Sequence, residues 1–237
     1  MNRNAQGEQS ERQARGERRR ATRTEGILDT AMAILAADGE GGLTMGRLAH
    51  EEGLVPAALY RYFASKDAIL VALQRRALVD LADRLAEARA TWEARLARHD
   101  APVRALGALL GAGRFYLGLR DTAPETQGLI ALLLGDPRPL LASEDASTNA
   151  PLATALLGEL VGLFADASRQ GALTVGDAMQ RAVVFWAALQ GLTQLEKLRR
   201  LSPPVPATSP LGDLATKTLL LGFGADPALL NKARFAL

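Results

Sequence analysis

Residues 43–66 read LTMGRLAHEEGLVPAALYRYFASK, and their polar side chains are of the types that meet nucleic acid. The guanidinium of Arg61 can donate two parallel hydrogen bonds to guanine O6 and N7. The hydroxyls of Tyr60 and Tyr62 suit phosphate oxygens, and the methyls of Ala57 and Ala58 can approach a thymine methyl. Lys66, with the free N–H groups around Ser65 and Asp67, can hold a phosphate, and Thr44 and Arg47 can make the equivalent contact from the segment before.

Such contacts are useful only if short helices are locked at a fixed angle. Thr44 can cap the free N–H groups of one helix, which stops at Gly53. Pro56 opens the next, since its missing N–H would have no partner in a first turn. Leu48, Ala49, Leu54, Leu59 and Phe63 supply the compact inward packing, with Leu59 and Phe63 an i, i+4 pair. Before them, Ile27, Ala31, Ile34 and Leu35 mark one apolar face of a helix starting at Thr24. The pattern predicts a helix-turn-helix, whose second helix enters the major groove while the first braces it. An ordinary helical hairpin with core aromatics is the rival reading. Tyr60, Tyr62 and Phe63 are too close in sequence to share one face, so at least one tyrosine must point outward beside Arg61.

The run from Thr24 to about Leu73, with LTMGRLA, EGLVPAALYRYF and SKDAIL, resembles the N-terminal DNA-binding domain of the TetR family of one-component transcriptional regulators. LYRYFASKDAIL is a fairly specific run in order and spacing. The chain departs from the family pattern in having Leu54-Val55 where Val-Ser is usual, which removes a side-chain cap worth about 1 kcal/mol. It also has Ala57 where Gly or Pro is common. The resemblance implies a long connecting helix followed by a helical domain for dimerisation and ligand binding.

The remaining sequence fits an all-α fold. Ser65 is the expected cap of a fourth helix with Leu70, Leu73, Ala77, Leu81 and Leu85 in one stripe; unbroken over 66–98 it would span about 50 Å. Further helices are expected near 102–119, 123–135, 151–169, 175–200 and 211–224, with breaks at DPRPLLASEDASTNAP, RQGALT and LSPPVPATSP. Thr174 followed by Asp177 is a capping-box signal for the helix at 175–200. No run of alternating β-branched residues suggests a sheet. The expected organisation is a disordered basic tail over 1–22, a DNA-binding domain over 23–70 and an effector-binding and dimerisation domain over 71–237. Arg18, Arg19, Arg20 and Arg23 precede the first helix, so the tail is either solvated or a basic arm on phosphates.

The helix at 175–200 is apolar around nearly its whole circumference from Ala182 to Leu192, so it must meet two apolar partners. In the resembling family the last two helices form a four-helix bundle with a second subunit, and Gly191, Leu214, Leu221 and Phe223 fit that seam. The family also implies a small-molecule pocket. Its candidate lining is Trp92, Arg114, Tyr116, Phe164, Phe185, Trp186, Gln190 and Gln194, which suits an apolar or aromatic effector.

Other chemistry lacks its parts. The chain has no cysteine, which excludes disulfides and thiolate ligands or nucleophiles and suits a reducing cytoplasm. Two histidines, His50 and His99, lack helpers at ligand spacing, so no metal or cofactor is expected. No Gly-rich phosphate loop and no Ser/His/acid arrangement occurs, so an enzyme is not expected. The N-terminus lacks the apolar core of a secretory signal, and no charge-free stretch is long enough to span a bilayer. Net charge is +2, with 12 Lys/Arg against 10 Asp/Glu in residues 1–76, so any nucleic-acid contact must be local. The expected protein is a homodimeric, cytoplasmic, ligand-responsive repressor released from a palindromic DNA operator by a small-molecule effector. The alternative is an all-helical small-molecule binding protein that does not engage DNA.

Overall fold

A computed structural model of the chain describes residues 3–135, 148–201 and 207–237, all of them in helices or the turns that join them. The helices are α1 (Arg3–Gly42), α2 (Met45–Glu51), α3 (Pro56–Leu59), α4 (Lys66–Leu96), α5 (Ala101–Thr122), α6 (Pro124–Gly135), α7 (Ala150–Arg169), α8 (Ala178–Leu201), α9 (Thr208–Gly222) and α10 (Pro227–Ala236). The breaks expected at DPRPLLASEDASTNAP and LSPPVPATSP fall largely on 136–147 and 202–206, outside the described residues.

Composition predicts a mobile tail over 1–22, whereas α1 begins at Arg3. The segment is rich in Arg, Gln, Glu and Ala, which are strong helix formers, and it contains no proline. Its scarcity of apolar side chains bears on tertiary burial, not on backbone propensity. Thr22 and Thr24 donate back to the carbonyls of Arg18 and Arg20 at 3.0 and 2.9 Å, keeping their hydroxyls within the helix. Gly39 interrupts α1 with φ 67° and ψ −169°.

Two differences in the second half also have local causes. The expected capping box at Thr174 does not form: Asp177 accepts from the Gln180 N–H at 2.9 Å and starts α8 at Ala178. Thr174 instead donates its N–H and hydroxyl to the Phe223 carbonyl, at 3.1 and 2.8 Å. Periodicity alone stops at residue 224 and omits α10. Its start signal is nonetheless complete, with Asp226 accepting from the N–H groups of Ala228 and Leu229 and Pro227 in the first turn.

The described residues group into two compact units. The first extends to Arg76; the second comprises Ala77–Gly135 and Asn149–Leu237. In the first, Ile27, Ala31, Leu43, Leu48, Leu59, Phe63, Ile69 and Leu73 form the buried core. In the second, α5 is central and packs against α6, α7, α8, α9 and α10. Phe164 meets Phe185 and Phe223 edge-on, with centroids 5.5 and 5.8 Å apart. Glycines let α5 approach its neighbours: a Cβ at Gly111 would fall 2.8 Å from the Trp92 ring, and one at Gly113 3.1 Å from Thr216 Oγ1. The helix Ala150–Arg169 is long and apolar enough to cross a bilayer by composition. It carries Glu159, bonded to Arg89, and buries Phe164 and Ala167 in the core of the second unit, while its other residues are exposed or half-buried.

Between α2 and α3 the chain reverses through Gly53, with φ 63°. Leu54 N–H bonds the Ala49 carbonyl at 2.8 Å and Gly53 N–H that of His50 at 3.0 Å, the paired bonds of a Schellman cap. A Cβ at Gly53 would meet no atom within 4 Å, so a side chain there is opposed by backbone conformation alone. We predict that Gly53→Ala lowers unfolding free energy by about 1–2 kcal/mol in urea titration, the cost of the left-handed conformation for an L-residue.

Candidate nucleic-acid interface

The turn fixes which side chains of α3 face outward. Thr44 caps α2 as expected, its hydroxyl accepting from Arg47 N–H at 3.2 Å. Val55, at the equivalent position before α3, makes no side-chain cap and is 67% exposed; Pro56 begins the helix alone. The α-helical part of α3 ends at Leu59, and the chain continues in a tighter turn in which Arg61 N–H meets the Ala58 carbonyl and Tyr62 N–H that of Leu59, at 3.3 and 2.9 Å. Leu59 and Phe63 are buried, so this short element hangs on two apolar anchors.

The opposite side is open. Pro56, Ala57, Tyr60 and Arg61 are exposed, Tyr60 by 53%, while Ala58 and Tyr62 are half-buried. No ion pair engages the Arg61 guanidinium among the described residues. The other cations are already held: Arg47 pairs with Asp38 at 2.6 Å, and Lys66 Nζ donates to the carbonyl and carboxylate of Glu40 at 2.9 and 3.2 Å. In this structure Arg47 and Lys66 therefore brace α2 and α4 against the end of α1. Ser65 caps α4 by accepting from Ala68 N–H at 3.0 Å.

Four contacts that sequence patterns did not reveal fasten the site. Glu52, with its side chain 9% exposed, pairs with Arg23 at 3.1 Å and accepts from the Thr30 hydroxyl. Arg23 also donates to the Glu52 carbonyl at 2.9 Å, and Arg20 to the Arg61 carbonyl at 3.1 Å. All link residues about twenty to forty positions apart, which no local periodicity encodes.

Residues 27–73 match the family model described as bacterial regulatory proteins, tetR family. The match lies within the first unit and covers α2, α3 and the flanking parts of α1 and α4. A search of curated proteins finds no significant match. Among solved structures, the chain is similar to a tetR-family regulatory protein from Rhodococcus RHA1, with 15% identity and a TM-score of 0.63, covering 86% of this chain and 98% of that one. It is also similar to AibR in complex with isovaleryl coenzyme A and operator DNA, with 18% identity and a TM-score of 0.60 over 86% and 100% of the two chains. For the SmeT–triclosan complex the values are 17%, 0.61, 88% and 94%. At these identities the likeness is one of fold.

In the second unit the structure gathers only some of the effector candidates. The Tyr116 hydroxyl of α5 donates to Gln190 Oε1 of α8, and Trp186 lies beside it. Gln127 of α6, absent from the sequence-based set, joins them near the same hydroxyl. It is 5% exposed, and neither atom of its amide completes a hydrogen bond; Gln190 Nε2 is likewise unpartnered. A glutamine directly ahead of the apolar run GLIALLL was the available signal. Phe164 and Phe185 are core, Trp92 is buried against Gly111 with its indole N–H unpartnered, and Gln194 is half-buried. Arg114 is exposed, 3.7 Å from Asp213.

Burial pushes the Tyr116 phenol up to about 12, with Trp186 and Gln127 easing the shift. A raised folded-state value means that the native state holds the proton more tightly than the unfolded chain. The resulting stability is intact below pH 10 and is lost as pH climbs toward 12. Tyr116→Phe should therefore abolish the phenolate absorbance step near pH 12 in a 295 nm titration and flatten the fall in thermal stability between pH 10 and 12.

Proposed function

We propose that the chain is a homodimeric repressor that binds a two-fold operator through the outward side of residues 56–62 and is released when a small molecule enters the second unit. The observation that carries this reading is the allocation of charge around α3. Arg47 and Lys66 are committed to internal partners, whereas Arg61 stands outward between exposed Tyr60 and half-buried Tyr62 with no acidic partner among the described residues. A guanidinium so presented is suited to guanine, and the tyrosines and Thr44, the cap of α2, to phosphates. AibR, of the same fold, is seen with operator DNA and with isovaleryl coenzyme A.

Dimer formation is supported by an apolar face on α8 and α9 that one chain leaves open. Met179, Val183, Val184 and Leu214 are exposed, Leu214 by 61%, with Gly191 on the same open side of α8. A symmetric dimer would set two α3 elements about 34 Å apart, one helical turn of DNA. An effector can shift that spacing only through differential affinity for two states of the dimer. Gln127 and Gln190, beside Tyr116 and Trp186, are the residues best placed to sense it, because the unpaired amide atoms of the two glutamines would gain partners on binding. The cluster holds no ionised group, which favours an effector with a neutral polar head on an apolar or aromatic body.

Fluorescence anisotropy with DNA flanking the chain's own gene should give nanomolar, salt-sensitive binding. Arg61→Ala should weaken it by about 1–3 kcal/mol and relax base preference at one position per half-site. Undiminished affinity in Arg61→Ala would remove the reading. In sedimentation, the wild type should run as a dimer and Val184→Glu with Leu214→Glu as a monomer.

A further inference from the structure

The N-terminal half of α1 bears a feature that the reading of α3 does not use. Arg15, Arg18, Arg19, Thr22, Arg23 and Gly26 line an open groove of about 520 Å³. Four guanidinium groups and no carboxylate face it. Arg23 is neutralised by Glu52, but no described acid pairs with Arg15, Arg18 or Arg19, and all three are exposed. Glu17 lies on the far side of the helix, where Gln13 donates to it. Arg15 and Arg19 are four residues apart and Arg15 and Arg18 three, so their like charges repel along the helix surface. An anion from outside the chain would relieve that repulsion.

We propose that this arginine groove is a second DNA-binding surface, gripping the phosphate backbone beside the bases that α3 faces. Three observations select the occupant. An open groove running over about 12 Å of helix, from Arg15 to Arg23, suits a repeating polyanion better than one small anion. The guanidinium fork matches phosphate oxygens in pairs. Finally, the same stretch of α1 is bonded to the proposed reading element by Arg20, which donates to the Arg61 carbonyl, and to the end of α2 by Arg23, which donates to the Glu52 carbonyl, so groove and α3 belong to one connected surface. The inference rests on the DNA-binding role of α3 and adds to it an affinity independent of base sequence.

The test is the salt dependence of binding to a duplex from the region flanking the chain's own gene, for wild type, Arg61→Ala and the triple variant Arg15→Ala, Arg18→Ala, Arg19→Ala. The three positions are exposed, and glutamine versions of the same triple serve if the alanine protein misfolds. In the triple variant the slope of log Kobs against log salt should fall in magnitude by about 0.9 for each phosphate that is no longer neutralised, up to about three phosphates per subunit, with the order of preference among duplex sequences unchanged. Arg61→Ala should alter that order. A triple variant that binds with the wild-type slope overturns the groove proposal while leaving α3 intact, and so does a triple variant that stops binding phosphatidylserine vesicles while its DNA binding is unchanged. A wild-type protein that binds no duplex overturns both.

Discussion

One nearly buried carboxylate holds the first unit in the form its surface requires. Glu52 sits at the end of α2, where the chain must reverse, and it is drawn away from water by Arg23 and Thr30 of α1. A charge in that position is tolerable only while its partners stay in place, and removing one partner of such a pair is far more disruptive than never having had it. The contact thereby fixes the direction in which α2 ends, and with it the direction in which α3 begins. Because α3 has no side-chain cap and only one α-helical turn before it tightens, it has little stability of its own. Its orientation is borrowed from the turn and from the two apolar anchors, Leu59 and Phe63.

Local patterns made most of this unit legible. The i, i+4 pairing of Leu59 and Phe63, the Thr44 and Ser65 caps, the glycine at the reversal and the proline of the first turn are all short-range signals, and each has the structural role that its chemistry suggests. What could not be read is how the cations are shared out. Arg47, Lys66 and Arg61 look equivalent in a linear sequence, yet Asp38 and Glu40 at the end of α1 claim the first two. The helical state of residues 3–22 was missed because low hydrophobicity argues against burial and says nothing against a continuous run of good helix formers.

In the second unit periodicity gave the helices other than α10 to within a few residues, but not which side chains converge. Tyr116, Gln127 and Gln190 come from three helices, and only packing brings them together. Tyr116 and Gln190 belong to the expected lining and Gln127 does not, while Phe164 and Phe185 of that lining are used up in core packing. The polar side chains left without full partners are amides, and an amide can present either a donor or an acceptor.

The close seating of Trp92 and Leu96 of α4 against Gly111 and Gly107 of α5 has a mechanical corollary. A methyl at Gly107 would fall 2.5 Å from Leu96, and one at Gly111 2.8 Å from the Trp92 ring, so each large side chain fills a notch that has no spare width. Interlocked surfaces of this kind resist sliding, and the joined stretches of the two helices can only travel as a single lever. A displacement of α5 at this level would carry the Trp92–Leu96 stretch of α4 with it.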